Sequence, residues 1–586
     1  MKLKIYITIL IVGVVAYVVF AANKKAAFAP AADFPRDALV YVQTSDLPAF
    51  LKLWDESKLK DKYLESENFA ELKNRHLALK LVSRWQEFSD AAGFPIDLET
   101  LSTSTETGAA IAVYDIGKLE FVFAAPVSDE VFVATKFIQN EDKFEAETLS
   151  DGTTIYSVAV EADRGRQKQT LLFAHVKGRF VLATSERLLT RTLSNISEKS
   201  SKDRLSDEPA FKVLSEKIEP HAATIWINQT ALNEDYYFKH YWLMRNADEL
   251  KNIRAGIFDL SIEEGKYVEH RKFLMNESVN SQKISPADAN RILESLPENI
   301  PFYRLQTATP KTAADAVFNA ILARQSEAAK DKKSYYSRYS SYDYDDYNDT
   351  NYKYLSDEYD ERINEADEAE TSDANSETNL KWQTDLQNIL RAANPQSVLS
   401  LTRPRQLPMP LFAEFQRAVV INLAAPARFN QSEFESALAR SAANRATISA
   451  ANAELNWETK MENGAARREL SLPLLGWEIG YARRGGELIV SNSRDFLTEI
   501  MTKQNRPPNE NLQSAFDELT VINLDQKENS YDKIFSQLKD EKTTNDFFVG
   551  NIGSLLDTFS DARKIEIKTS REKNFMDEDL IIYFVE

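Results

Sequence analysis

The first hydrophobic pattern along the chain is an unbroken apolar run near the N-terminus. Residues 5–22 carry no charged side chain, and lysines flank the run on both sides. At a rise of about 1.5 Å per residue a helix of this length spans about 27 Å, close to the hydrocarbon core of a bilayer. We predict a transmembrane anchor at 5–22, after a short tail at 1–4 and before a tether at 23–33. Because this apolar core is longer than that of most signal peptides, an uncleaved signal-anchor is favoured over a cleaved signal.

The second pattern is an internal repeat. The segment Leu171–Leu193 aligns without a gap to Ile479–Met501, at a constant offset of 308 residues. Each copy has an apolar run, a turn with Gly178 or Gly486, a second apolar run and a serine, which predicts a hairpin followed by a capped helix. Looser matches pair Phe34–Thr44 with Leu296–Thr307, and Phe121–Pro126 with Ile421–Pro426.

This repeat determines the predicted architecture. We expect an α+β fold of two tandem pseudo-repeat domains, each a mainly antiparallel sheet with helices on one face, after one N-terminal transmembrane helix. The first repeat is expected at 34–276, a linker at 277–295 and the second repeat at 296–586. An insert at 331–378 interrupts the second repeat.

The insert is acidic and rich in tyrosine. Residues 341–378 hold fourteen aspartates and glutamates against two basic side chains, and nine tyrosines lie within 335–359. With few aliphatic residues and strong self-repulsion, the insert is predicted to be disordered. It lacks the turn glycine and terminal glutamate of an EF-hand calcium loop. A solvated excursion is favoured over docking to a basic partner, stacking on a polymer or capping a groove.

Composition adds information about partners and location. The formal net charge is −19, with 71 basic and 90 acidic side chains, and there is no cysteine. A chain without a basic face is not expected to bind nucleic acid. Lysines on both sides of 5–22 leave the positive-inside count nearly tied. The absence of cysteine and the size of the downstream part favour a bacterial cytoplasmic-membrane protein with its bulk outside the cytoplasm.

Catalytic motifs are scarce. No two of the five histidines lie within four residues of each other, and the nucleophile-elbow, P-loop and dinucleotide-binding motifs are missing. Ser57 and Lys60 match one serine-hydrolase tetrapeptide, but such short patterns arise often by chance. We therefore predict no catalytic residue, no cofactor and no metal site.

One aromatic cluster is a candidate binding surface. Tyr237, Phe238, Tyr241 and Trp242 crowd together within a nine-residue aromatic stretch. At helical spacing they fall on adjacent faces, which is more aromatic surface than one core-facing stripe needs. Packing against a sheet remains the favoured interpretation, and a groove or interface is the alternative.

The opening segment Phe34–Val42, followed by an amphipathic helix through Leu47, Leu51 and Trp54, carries a family resemblance. It resembles bacterial single-pass envelope proteins with tandem α+β repeats, a group classified only as a domain of unknown function. The resemblance covers most of the chain in layout. It carries over no catalytic or binding residue, because none is assigned in that group.

The leading functional hypothesis is a non-enzymatic, membrane-anchored extracytoplasmic binding or scaffold protein. The hypothesis rests on two observations: the chain contains a duplicated unit, and the two copies share no cluster of polar residues. The expected partners are the lipid bilayer, through 5–22, and a protein or other envelope component. The alternatives are an envelope hydrolase that uses dispersed carboxylates and a carrier of a hydrophobic ligand.

Overall fold

The computed structural model describes most of the chain with several gaps. The chain divides into two compact units: unit 1 comprises Met1–Asn280, Gly550–Arg563 and Arg571–Glu586, and unit 2 comprises Ser281–Val549 and Lys564–Ser570. The described residues are 30–74, 76–160, 169–197, 202–241, 250–263, 265–279, 282–294, 296–297, 300–321, 374–404, 415–445, 457–462, 465–472, 477–502, 512–524 and 561–584.

Nineteen strands are described, and every pair is antiparallel. The first ten are β1 Val40–Thr44, β2 Ala109–Asp115, β3 Glu120–Pro126, β4 Glu145–Thr148, β5 Thr154–Val160, β6 Gln169–Val176, β7 Arg179–Ala183, β8 Ala223–Ile227, β9 Ile253–Glu263 and β10 Lys266–Val279. The others are β11 Phe302–Thr307, β12 Pro395–Pro404, β13 Phe415–Leu423, β14 Glu458–Glu462, β15 Ala465–Leu472, β16 Trp477–Arg484, β17 Glu487–Ser491, β18 Glu518–Asn523 and β19 Ala562–Phe584.

The described helices range from Lys136–Gln139, of four residues, to Ala374–Ala393, of twenty residues. Unit 1 has α1 Leu47–Asp55, α2 Lys58–Glu65, α3 Glu67–Lys73, α4 His76–Ala92, α5 Leu98–Thr103, α6 Asp129–Ala134, α7 Lys136–Gln139, α8 Glu186–Ser197, α9 Pro209–Ser215, α10 Gln229–Glu234 and α11 Tyr236–Tyr241. Unit 2 has α12 Pro286–Leu293, α13 Pro310–Ile321, α14 Ala374–Ala393, α15 Gln431–Arg445 and α16 Arg494–Thr502. Residues 331–373 of the acidic insert lie outside the described residues, and its last five residues begin α14.

In unit 1, most strands that are consecutive in the sequence are also adjacent in the sheet. The order is β4-β5-β6-β7-β3-β2-β1-β8-β9-β10, and the last residues of β19 pair with β10. The β6–β7 hairpin turns at Lys177 and Gly178, which have φ angles of 49° and 69°. Two successive left-handed residues are the geometry that a two-residue type I′ turn requires.

Unit 2 repeats this order over nine positions. It reads β14-β15-β16-β17-β13-β12-β11-β18, and the first part of β19 pairs with β18. Strands β6 and β7 correspond to β16 and β17 at the offset of 308 residues. The left-handed residue of the β16–β17 turn is Gly485, with a φ of 58°.

Helices cover both faces of the sheet in unit 1, so the predicted one-sided arrangement is wrong. Along β3, Val122 and Ala124 belong to the core that α8 and α9 cover. Phe121 points to the other face, because side chains alternate along a strand. There it stacks on Trp85 of α4, with ring centroids 5.3 Å apart.

Unit 2 is also covered on both faces. Helices α13, α14 and α15 pack on the face that carries Val419 and Ile421. Helices α12 and α16 pack on the face that carries Ala418 and Val420. Each unit is therefore an antiparallel sheet between two helical layers. Strands buried on both faces have nearly continuous apolar runs, such as 418–421. The predicted fold class did not take these runs as a sign of burial on both faces.

The fold also contradicts the predicted transmembrane helix. In the part of the chain that the structure describes, no helix is long and apolar enough to cross a membrane. The segment 5–22, to which the anchor was assigned, lies outside that part, as do the tail at 1–4 and residues 23–29 of the tether.

Candidate functional site

Unit 1 carries a row of polar residues across four neighbouring strands. Thr224 on β8 lies opposite Asp259 on β9, Asp259 lies opposite His270 on β10, and His270 lies opposite Asp579 on β19. Directly opposed residues of antiparallel strands project from the same face of a sheet, with β-carbons about 5 Å apart. His221, just before β8, joins the row through its hydrogen bonds to Asp259. We call His221, Asp259, His270 and Asp579 the histidine–aspartate row.

Asp259 is the buried centre of this row. Its side chain is 1% exposed and accepts hydrogen bonds from the backbone N–H of His221 at 2.9 Å and the hydroxyl of Thr224 at 3.1 Å. The second carboxylate oxygen contacts Nδ1 of His221. Burial raises the pKa of Asp259, while the hydrogen bonds from His221 and Thr224 act in the opposite direction.

His270 forms the second imidazole–carboxylate pair. Its Nδ1 lies 2.8 Å from Oδ1 of Asp579. This hydrogen bond raises the pKa of His270, partial burial opposes the shift, and the charges of Asp579 and Asp259 reinforce it. The protonated imidazole is therefore favoured beyond the pH range of a free histidine.

Both imidazoles reach solvent. The His221 side chain is 38% exposed and that of His270 is 46% exposed. Nδ1 of each ring is held by an aspartate, and no described residue hydrogen-bonds to Nε2 of either ring. The row thus presents two oriented imidazole nitrogens, each of which accepts a proton when neutral and donates one when charged.

Within the described part of the chain, neither a serine nucleophile nor a cluster of metal ligands accompanies the row. The hydroxyl of Ser45 lies near His221, but it donates to the backbone carbonyl oxygen of His221 at 3.4 Å and not to the ring. Among the described residues, no group of three or more histidines, aspartates and glutamates could hold a metal ion.

Unit 2 has different residues at the matching positions. Tyr41 and Tyr303 correspond in the repeat, and they lie opposite Trp226 and Val521. Counting back five residues from each of these partners gives His221 in unit 1 and Phe516 in unit 2. By the same count Thr224 matches Leu519. Thr224 pairs with Asp259 and Leu519 pairs with Lys568, so Lys568 is at the position of Asp259. Phe516 is fully buried, so unit 2 uses an apolar contact where unit 1 has an ionisable pair.

His175 shows the opposite behaviour, because its role recurs in both units. Its Nε2 lies 2.8 Å from the carbonyl oxygen of Val127, and its ring stacks on Phe132. At the matching position, Arg483 donates to the carbonyl oxygen of Pro426 at 2.8 Å and lies over the ring of Phe429. His175 and Arg483 each use a flat polar group to hold the sheet to a neighbouring segment, so their role is structural.

The aromatic candidates predicted from the sequence are only partly described. Tyr237 lies against Gly117 in the β2–β3 turn, hydrogen-bonds to Lys80 of α4 and has the Lys80 ammonium 4.0 Å from its ring centroid. Phe238 is half-buried, and its backbone N–H donates to Asp235 at 2.9 Å. The side chain of Tyr241 and all of Trp242 lie outside the described residues. The contacts of Tyr237 tie α11 to α4 and to the turn.

The tetrapeptide that begins at Ser57 is a helix cap. The Ser57 hydroxyl accepts from the backbone N–H of Lys60 at 3.3 Å, and the Lys60 ammonium lies 3.1 Å from Asp55. Both groups therefore have structural partners.

Sequence reasoning missed the histidine–aspartate row because its members are far apart in the chain. His270 and Asp579 are separated by 309 residues. One signal was present: Asp259 and His270 interrupt the apolar alternation of two long strands that a tight turn connects. Only the pairing with β8 and β19 shows that they meet.

Comparisons with known proteins leave the chain without an assigned family. No family model and no curated relative matches it. Three solved structures, crystal forms III, I and IV of TP0453, align with 11%, 15% and 10% identity. They cover 47%, 44% and 46% of this chain, and 89%, 83% and 86% of TP0453, with a TM-score of 0.22 in each case. At that score they carry no functional argument, and the resemblance to envelope proteins stays a prediction.

Proposed function

We propose that the protein is a binding or scaffold protein whose contact surface is the histidine–aspartate row of unit 1. The observation that carries this proposal is the exposure of two aspartate-held imidazoles. At the position that matches His221, unit 2 has the buried Phe516, and a repeat that needs only packing there can use phenylalanine. Two imidazoles kept at the surface instead offer directional hydrogen bonds to a ligand.

The chemistry of the row favours a ligand that carries a phosphate group. The aspartates occupy Nδ1 of both rings, which leaves Nε2 to face the ligand. A protonated imidazole donates a charge-assisted hydrogen bond from Nε2, and phosphate oxygens are strong acceptors. The oxygens of Asp259 are already bonded to His221 and Thr224 and are shielded from solvent. The hydrogen bonds donated to Asp259 offset part of its repulsion of an incoming anion.

Thermal unfolding with phenyl phosphate tests this proposal. A ligand that binds only the folded state raises the melting temperature. We expect phenyl phosphate to stabilise the wild-type protein relative to chloride at equal ionic strength. The double variant His221→Phe/His270→Gln should lose this gain, whereas His175→Arg should keep it. Equal stabilisation of wild type and double variant would contradict the proposal.

A second candidate function, a hydrolase, is favoured by one observation. The ring of His221 is held through Nδ1 by a buried carboxylate, and its Nε2 has no hydrogen-bond partner among the described residues. Histidines that act as general bases are commonly oriented in this way.

The location outside the cytoplasm stays a prediction from the absence of cysteine.

A further inference from the structure

We infer that the histidine–aspartate row catalyses hydrolysis of phosphodiesters without a metal ion, with His221 as general base and His270 as general acid. This activity goes beyond the binding function proposed above. It gives the hydrolase candidate a substrate class and a proton donor, and it rests on the same surface. The observation behind it is that two aspartate-held imidazoles lie on either side of one buried carboxylate.

The geometry places both histidines next to Asp259. Asp259 contacts the ring of His221 and lies directly opposite His270 across the β9–β10 pair. Opposed β-carbons in such a pair are about 5 Å apart, so His270 neighbours the residue that holds the ring of His221. The row lies on the face that carries Trp226 and Leu274, which α8 and α9 cover elsewhere. At the row itself the exposure of both rings shows that this cover is incomplete.

The electrostatics favour His270 for the acid role. The hydrogen bond to Asp579 raises the pKa of His270, which favours its protonated form. General acid–base catalysis needs one group that donates a proton and one that accepts a proton. His221 suits the base role, because Nδ1 is directed at Asp259 and Nε2 remains to accept a proton.

The reaction balances with water as the only co-reactant. The water oxygen forms a bond to phosphorus while the bond from phosphorus to the leaving oxygen breaks. The proton of the water passes to Nε2 of His221, and Nε2 of His270 gives its proton to the leaving oxygen. Solvent then returns a proton to His270 and takes one from His221. The products are a phosphate monoester and an alcohol, and no electron is transferred to an outside acceptor.

Two substrates that differ in leaving group separate the roles. The full-length protein would be assayed in EDTA with bis(4-nitrophenyl) phosphate and with diphenyl phosphate. His221→Phe, which installs the residue type of unit 2, should lower kcat/KM by about 100-fold or more for both substrates. His270→Gln should lower kcat/KM much more for diphenyl phosphate, because phenolate is the poorer leaving group and needs the acid. Asp579→Asn, a positioning variant, should show the same substrate bias in smaller measure.

His175→Arg is the matched control and should leave the rates unchanged. His270 is partly exposed, so its variant should remain folded, which circular dichroism would verify. Ligand binding without turnover would overturn the catalytic inference and leave the proposed binding function intact. Neither binding nor turnover would overturn both. Turnover that survives in the His221→Phe/His270→Gln double variant would also overturn the inference.

Discussion

Units 1 and 2 share nine strand positions in one order, yet they differ in chemistry at corresponding sites. At one site His175 and Arg483 make the same contacts with different residues. At another, His221 and Phe516 occupy matching positions with unlike properties. The first kind of difference preserves a packing role. The second kind shows that two units with the same strand order can carry side chains of different chemistry at a matching position. A functional surface can therefore arise in one copy alone.

The largest difference that mutation should reveal is the buried ion cluster on the last strands of unit 1. Arg271 bridges Glu269 and Glu578, and all three side chains are at most 5% exposed. Arg271→Met would remove the guanidinium that bridges the two buried carboxylates, which should cost about 3–5 kcal/mol in the free energy of unfolding. Chemical denaturation measures this loss.

The comparison variant in unit 2 is Arg304→Met, which removes a more exposed ion pair at a different strand position. Arg304 pairs with Glu518 at 2.6 Å, but its side chain is 28% exposed, so the loss should be smaller. Equal losses in the two variants would show that burial does not distinguish the two pairs.

The next effect concerns a close approach in unit 1. A Cβ placed on Gly117 would lie within 3 Å of the ring of Tyr237. Gly117→Ala should therefore lower stability by about 1–3 kcal/mol, because the ring must move away from Lys80. In unit 2, a Cβ on Gly480 would lie 2.9 Å from the end of the Leu497 side chain and 3.6 Å from the carbonyl oxygen of Arg468, so Gly480→Ala should cost less. The reverse order in denaturation experiments would contradict this packing comparison.

A smaller effect should appear in the pH dependence of stability. The raised pKa of His270 means that the folded state holds this proton more tightly than the unfolded chain. The resulting stabilisation is fully present below the unfolded histidine pKa of about 6.5. It should decline as the pH rises through the folded pKa. Asp579 and Asp259 raise that pKa, while Lys272 and burial lower it. The slope of stability against pH should therefore flatten in His270→Gln, and an unchanged slope would refute the assignment.

The smallest effect is expected at His175. His175→Arg copies the side chain of unit 2 and should change stability by less than about 0.5 kcal/mol. His175→Ala removes the hydrogen bond to Val127 and the stacking on Phe132, and should cost about 1–2 kcal/mol. If arginine costs as much as alanine, the equivalence of His175 and Arg483 is wrong.

The sequence was informative where structure depends on local pattern. The aligned segments Leu171–Leu193 and Ile479–Met501 form a hairpin and a helix in each unit. The predicted one-sided helical cover was wrong, because runs such as 121–125 are apolar on both faces and were not interpreted as doubly buried. The histidine–aspartate row depends on pairing between strands that lie far apart in the chain. No local periodicity in the sequence contains that information.

The central claim is that the histidine–aspartate row is the ligand-contacting surface. Nuclear magnetic resonance of the imidazole ring signals tests it most directly, because the chain has only five histidines. Titration with phenyl phosphate at pH 6.5 should shift the His221 and His270 signals along one saturable curve and leave His175 unmoved. Unmoved signals from both row histidines at saturating phenyl phosphate would contradict the account.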